Sequence, residues 1–229
     1  MGLDGVELVL EAEESFGISL ADDEMPKIVT VGQFYDAIIR ELPSPEKKFC
    51  LSAVTFHKLR QSLLTVTGRQ RAEIRPRTGL ATLLPRRRRK AAWRKMQQLS
   101  GLRFPRLHLP RWAIPVLLTC YALIQAIGVF AFDWPFNLSL IVPGFVALFL
   151  ACWAVDALFG IELPNHLQTV GALTKAVLAK NFAKLSGKVA DYDRNEVWES
   201  VQILVADQLD VDLEKVTKES RFVADLGMN

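Results

Sequence analysis

Two uncharged runs in the middle of the chain limit its fold more than any other feature. Residues 112–132, WAIPVLLTCYALIQAIGVFAF, carry no charge across 21 positions, and residues 137–160, NLSLIVPGFVALFLACWAVDALFG, carry one, Asp156, near the end. A helix of about 20 apolar residues matches a hydrocarbon layer roughly 30 Å thick. Backbone in lipid must satisfy its own hydrogen bonds, so a pair of helices is the natural form. The link Asp133-Trp134-Pro135-Phe136-Asn137 is short and turn-like, and Trp112, Trp134 and Trp153 fall near the run ends, where amphipathic aromatics prefer the interface. A buried helical hairpin in a soluble core is the alternative. Arg94, Lys95, Arg103, Arg106 and Arg111 precede the first run, and Lys175, Lys180 and Lys184 follow the second. The positive-inside rule then predicts a two-span membrane protein with both termini in the cytoplasm. Asp156 reads as a residue exposed at the interface rather than a functional intramembrane acid.

The net charge of +3 hides blocks of opposite sign. Residues 1–26 hold eight acids and no Lys or Arg, whereas in 69–111 Glu73 is the only acid among more than a dozen Arg and Lys. Such blocks mark modules with different partners. Cys50, Cys120 and Cys152 form no C-x-x-C pair, and His57, His108 and His166 are far apart, so no disulfide framework or metal site is expected. The acidic N-terminus does not fit a cleaved signal peptide. There is no phosphate loop, G-x-S-x-G or H-E-x-x-H, so no catalytic residues are assigned and no enzyme is expected.

Both ends of the chain read as helices. In the first, Asp4 is a cap with Glu7 completing a capping box, Leu3, Val6, Val9/Leu10 and Phe16 form the apolar stripe, and Gly17 ends it. Residues 30–42 form a second helix, capped by Thr30, with Phe34, Ile38 and Leu42 on one face and Pro43 as the break. Val197, Val201, Leu204, Val205 and Leu209 define an amphipathic helix near the other end, followed by a loop. Each fragment has one apolar face and too little chain to bury it, so they are expected to pack on one another or on another module.

These segments resemble acyl carrier proteins. Residues 197–227, with F-V-x-D-L-G at 222–227, are similar to the first helix and long loop of that family. Residues 3–38, with L-D-x-V-E-L at 3–8, F-G-I at 16–18 and T-V-G at 30–32, are similar to its remaining helices. The order is reversed, as in a circular permutant. The resemblance implies that Asn229 and Gly2 lie close together and that the 197–209 helix packs on Val6, Leu10 and Ile38. It aligns Gly2 with the serine that carries 4′-phosphopantetheine. Gly2 has no hydroxyl and Ser15 lies about three turns further along, so no cofactor is expected unless the serine is supplied elsewhere. The second helix of such carriers is the one partner enzymes read, which implies partner-binding roles for Asp4, Glu7, Glu11 and Glu14. These acids are expected on an exposed helix, without base or metal partners.

A fainter second copy lies in the middle. Residues 56–85 have the helix-then-loop rhythm of the tail, residues 86–105 would be the second helix, and residues 159–181 repeat F-G-I and T-V-G. Pro85 and Arg86 occupy its serine place. The domain scheme is therefore 1–43, the back half of a carrier-like module; 50–110, a basic degenerate module; 112–160, the membrane hairpin; 161–185, the last helix of the degenerate module; and 191–229, the front half of the first module. The fold class is all-α, with carrier-like four-helix modules and a two-helix transmembrane hairpin. The basic surface of Arg86, Arg87, Arg88, Arg89, Lys90 and Arg94 suits a solvated, topology-setting flank, anionic lipid, or an acidic protein surface; nucleic acid is not expected as a partner. The function expected is a membrane-anchored carrier-like interaction module in acyl or lipid metabolism. A genuine carrier represented by a permuted or incomplete sequence, and a basic anchor for anionic lipid or an acidic carrier protein, are the alternatives. Partners expected are the bilayer, acyl-chain-processing enzymes or an acidic carrier, with a swapped homodimer as the alternative to closure within one chain.

Overall fold

The computed structural model describes residues 3–21, 27–43, 50–107, 115, 118, 119, 121, 122, 163, 164, 167–187 and 192–228, apart from the Arg87 side chain. The helices are α1 (Leu3–Phe16), α2 (Val31–Glu41), α3 (Leu51–Thr67), α4 (Leu80–Leu83), α5 (Arg86–Ser100), α6 (Val170–Ala179), α7 (Phe182–Ser186) and α8 (Arg194–Leu209), with 3-10 turns at Arg71–Glu73 and Leu213–Lys215. Among the described residues there is no strand, only two isolated antiparallel bridges, so the fold is all-α. The chain divides into two compact units, Met1–Pro85 with Ala91–Pro105 and Asn165–Asn229, and Arg86–Lys90 with Arg106–Pro164. In the second, Leu118 is exposed and the Thr119 hydroxyl donates to the Pro115 carbonyl at 2.8 Å. The two apolar runs lie almost wholly outside the described residues, and among the described residues no helix is long and apolar enough to cross a membrane.

The first unit is built from one supersecondary pattern used twice. Helix α3 ends at Gly68 (φ 66°) and α8 at Asp210 (φ 49°), both left-handed caps returning an amide to the last turn. Each helix leads into a 3-10 turn, followed by a buried aliphatic residue, Ile74 or Val216. A hydroxyl then pins the loop. Thr78 Oγ1 donates to Glu73 O at 2.9 Å and accepts from Arg75 N at 3.0 Å. Ser220 Oγ donates to Lys215 O at 2.7 Å and accepts from Thr217 N at 3.0 Å.

Each loop then seats the N-terminus of a later helix. Thr30 caps α2 in a capping box with Gln33, and Thr169 caps α6 by accepting from Ala172 N. The first amides of a helix have no partner inside it. Here the loops supply them. Val31 N donates to Ser220 O (3.0 Å) and Gly32 N to Lys218 O (2.9 Å); Val170 N donates to Thr78 O (2.9 Å) and Gly171 N to Pro76 O (2.8 Å). Phe222 N to Val29 O (3.1 Å) and Leu80 N to Gln168 O (2.8 Å) complete the matching exchanges. Both glycines follow from this approach, because a Cβ at Gly32 would stand 2.8 Å from Lys218 O and one at Gly171 would stand 3.0 Å from Pro76 O.

The second helices also correspond. Helix α1 ends at Gly17 (φ 67°), whose amide reaches Glu13 O at 2.8 Å, and α5 ends at Gly101 (φ 63°), whose amide reaches Gln97 O at 2.8 Å. The F-G-I repeat expected at 159–161 lies outside the described residues; Ser100-Gly101-Leu102 does for α5 what Phe16-Gly17-Ile18 does for α1. The terminal repeat (α8, α1, α2) and the middle repeat (α3, α5, α6) share a boundary at which α8 packs on α6 and α1 on α7. Phe16, Phe182 and Tyr192 meet through it in tilted and edge-to-face contacts, with centroids 5.1 and 5.6 Å apart, and the Tyr192 hydroxyl donates to Pro43 O at 2.8 Å.

Two expectations for α1 need correction. The helix already includes Leu3, so Asp4 lies in its first turn rather than capping it. Its buried face is Gly5, Leu8, Val9, Ala12, Ser15 and Phe16, whereas Leu3, Val6 and Leu10 are 75%, 46% and 58% exposed. The packing of α8 on α1 therefore does not run through Val6 and Leu10. Small residues at 5 and 12 mark the face that a neighbouring helix can approach closely, and a stripe drawn through large side chains alone misses it. Ile38 is buried in the same core as Val197 and Val201, as expected.

Gly32→Ala and Gly171→Ala are expected to destabilise the protein by about 2 kcal/mol each, because the obstruction is a backbone carbonyl that cannot rotate away. Gly68→Ala, where nothing lies within 4 Å, is expected to cost only the left-handed backbone penalty of about 1 kcal/mol. Denaturant midpoints measure the difference; equal losses at Gly32 and Gly68 would contradict the close-approach explanation.

Candidate functional site

The site that the sequence singles out is the junction of the loop 220–228 with α1. The Arg221 amide donates to Asp225 Oδ2 at 2.8 Å and its guanidinium reaches the same carboxylate, closing the turn that contains the D-L-G residues. Beyond it, Met228 N donates to Phe222 O at 2.9 Å. Phe222 is buried edge-on against Phe34, with centroids 5.9 Å apart. Met228 and Phe222 meet Gly5, Leu8 and Val9 of α1, so the segment leading to one end of the sequence lies against the helix that opens the other. The hollow among these residues measures about 10 Å³, space for one water and not for an acyl chain. Gly2 and Asn229 themselves lie outside the described residues.

Helix α1 pairs two of its acids with basic side chains of the other repeat, Glu11 largely covered and Glu14 still exposed. Lys180, at the end of α6, places Nζ 2.8 Å from Asp207 Oδ2 and 3.3 Å from Glu11 Oε1, with Lys180 and Asp207 side chains only 11% and 10% exposed. Arg103 adds Nη2 to Glu11 at 3.0 Å and Nη1 to Glu14 at 3.0 Å. The expectation that these acids have no basic partner is thus corrected for Glu11 and Glu14. Those basic partners come from positions too distant in sequence to be paired by spacing. Glu7 accepts from Gln208 Nε2 at 2.7 Å. Asp4 is half-buried and has a partner of its own. Asn181 fastens the same region, accepting from Arg103 N at 2.8 Å and donating to Arg103 O and Val177 O at 2.7 Å each.

The basic helix α5 is split in environment. Arg86, Arg88 and Arg94 are exposed, Lys90 is half-buried and Arg89 is buried. A uniformly solvated basic face is therefore corrected at Arg89, which takes the helix register held by Gly5 in α1. Its apolar face is Ala92, Trp93 and Met96; Trp93 Nε1 donates to Pro105 O at 3.1 Å and its ring meets Phe104. Arg86, in the serine place of this repeat, starts the helix without a side-chain cap from Pro85. Cys50 is free and exposed, and its Sγ lies 3.7 Å from Glu196, whose carboxylate also receives the Leu51 and Ser52 amides at the start of α3. Among the described residues no three His, Cys, Asp or Glu side chains gather as a metal site.

Ser15 is buried and its hydroxyl has no hydrogen-bond partner. Sequence reasoning missed a further feature: a cleft of about 460 Å³ beside α3, lined by Phe56, Arg60, Arg71, Ala72, Ile74, Arg75 and Pro76. The dense arginine spacing in 69–77 was its only signal.

Lys180→Met is expected to cost about 2–4 kcal/mol, because it leaves Asp207 charged, nearly buried and without its ammonium. Lys180→Met with Asp207→Leu should recover part of that loss, and thermal unfolding of the two variants compares them. Equal or greater loss in the double variant would show that the pair is not coupled. The Arg221 amide, with help from its guanidinium, holds the Asp225 carboxyl below its ordinary 3.8. A depressed folded pKa contributes stability above the unfolded value and loses it as pH falls through the folded one. Protection of the Arg221 amide, its exchange relative to the intrinsic rate at the same pH, is therefore expected to fall off only below pH 3.8, and to be reduced at every pH in Asp225→Asn. An amide that exchanges at the same rate in both proteins at pH 6 refutes the assignment.

No family model, curated protein or solved structure matches the chain, so its own two repeats supply the comparison.

Proposed function

We propose that this chain is a membrane-anchored interaction module resembling acyl carrier proteins, acting in acyl or lipid metabolism without a phosphopantetheine group of its own. The observation that carries the reading is the attachment position. In the terminal repeat it falls on Gly2 and in the middle repeat on Arg86, neither of which can form the phosphodiester. The serine within α1, Ser15, is enclosed. Support for the carrier-like family comes from the loop after the first helix, pinned by a hydroxyl and closed onto a T-V-G helix start in both halves. Support for the anchor comes from the uncharged runs at 112–132 and 137–160 with their basic flanks. A non-carrying module of this kind works by holding partners at a surface, not by chemistry. The exposed Arg86, Arg88 and Arg94 of α5 favour a second reading, an anchor for anionic lipid or an acidic carrier protein.

Incubation of the full chain with a phosphopantetheinyl transferase and coenzyme A is expected to leave its intact mass unchanged. A gain of one phosphopantetheine, mapped to any serine, would overturn the non-carrying reading.

A further inference from the structure

The two repeats differ in side chains at the hollow between the first helix and the loop that follows it. In the terminal repeat this hollow is filled. Lys218 lies with Nζ 4.9 Å from the Tyr35 ring centroid and 5.4 Å from that of Trp198, the two rings meet edge to face at 5.5 Å, and Gln202 Nε2 donates to Val216 O at 2.7 Å. In the middle repeat the corresponding positions change together. Phe56 replaces Trp198, Pro76 replaces Lys218, and Thr174 replaces Tyr35, its hydroxyl folded back to Val170 O at 2.8 Å. Arginine stands at three further places, Arg60 for Gln202, Arg71 for Leu213 and Arg75 for Thr217, while Ala72 stands for the acid Glu214 and Ile74 for Val216. The result is the open cleft of about 460 Å³, within the size range of small-molecule sites.

The fold does not need these arginines. The terminal repeat forms the same loop, with the same hydroxyl pin and helix-start exchanges, using Gln202, Leu213 and Thr217. Nor are they neutralised. Glu73, the only acid of this loop, is bound by Arg69 at 3.0 Å. Arg60 stacks 5.0 Å from the Phe56 ring centroid and donates to His57 Nδ1 at 2.9 Å, and Arg75 Nε donates to Ala72 O at 3.1 Å. Among the described residues none of the three makes a salt bridge. Three arginines that make no ion pair among the described residues line one cleft with Phe56, Ile74 and Pro76, and give it a positive character. A guanidinium fork matches the paired oxygens of a phosphate, and a phosphate's charge suits three such forks better than a single carboxylate does.

We infer that the Arg60–Arg71–Arg75 cleft of the middle repeat binds a phosphate group attached to an apolar or aromatic moiety, either on a soluble phosphate ester or on a lipid headgroup. The site is separate from the carrier attachment position and does not rest on the carrier-like reading. The phosphate meets the arginines and the apolar part lies on Phe56 and Pro76.

The test uses the full chain in zwitterionic detergent, titrated calorimetrically with phenyl phosphate, and in a second arm mixed with phosphatidylcholine vesicles containing phosphatidylglycerol. Saturable binding in either arm is expected, and the arm in which it is tighter names the source. Arg60→Gln/Arg71→Gln/Arg75→Gln is expected to weaken it by at least about tenfold, since each charge-assisted hydrogen bond lost costs roughly that factor. Arg71→Glu alone, at an exposed position, gives the same direction should the triple variant melt early. Arg88→Gln/Arg94→Gln on α5 is expected to leave phenyl phosphate binding unchanged. No saturable binding in either arm, or binding that survives the triple variant and is lost in the α5 variant, overturns the inference.

Discussion

The fold depends on a backbone exchange made twice: the carbonyls of a loop leaving one helix accept from the first amides of another. Helix starts carry amides that nothing inside the helix can satisfy. Ser220 O and Lys218 O take those of Val31 and Gly32, and Thr78 O and Pro76 O take those of Val170 and Gly171. The loop is thereby fixed without a sheet, and the chain between the two partners is free to vary. What must not vary is the glycine, because a Cβ there would stand only 2.8–3.0 Å from the carbonyl oxygen.

Around these anchors the two repeats are joined by charge as well as apolar contact. Lys180 leaves the middle repeat to reach Asp207 and Glu11 of the terminal one, beside the Phe16, Phe182 and Tyr192 rings. An ammonium this enclosed adds little net stability over an apolar pair, but it penalises any docking that leaves a carboxylate unmatched. The Asp207 oxygen that does not face Lys180 has no partner, so the cluster sits at the limit of what its geometry can satisfy. It favours one mutual arrangement of α1, α6 and α8.

Features encoded locally were readable from the sequence. Thr30, Phe34 and Ile38 state the start and the buried face of α2 within nine residues, and the structure follows them. Val197, Val201, Leu204 and Val205 do the same for α8. Helix α1 misled because its contact face is made of Gly5 and Ala12, whose contribution is closeness rather than area. The partners of Glu11 and Glu14 were unreadable because Lys180 and Arg103 come from distant segments, and nothing in helical spacing points to them. Gly101 carries no such sign, because Ser100 and Leu102 flank it where Phe16 and Ile18 flank Gly17. The meaning of the cleft beside Phe56 lies in what the other repeat has there instead, Lys218 against Tyr35 and Trp198, a pairing between segments distant in sequence.

The paired glycine caps and threonine starts also measure what an insertion costs. Between Gly17 and Thr30 the terminal repeat uses 12 residues, 18–29, whereas between Gly101 and Thr169 the middle repeat uses 67, 102–168. Treated as plain chain, the longer connection would add only about 1.5 kcal/mol of closure entropy, because that cost grows with the logarithm of length. One more close contact at the threonine end offsets a sum of that size. This is the position in the fold where a segment as large as the two apolar runs can be housed while both flanking helices keep their caps, their register and their shared loop.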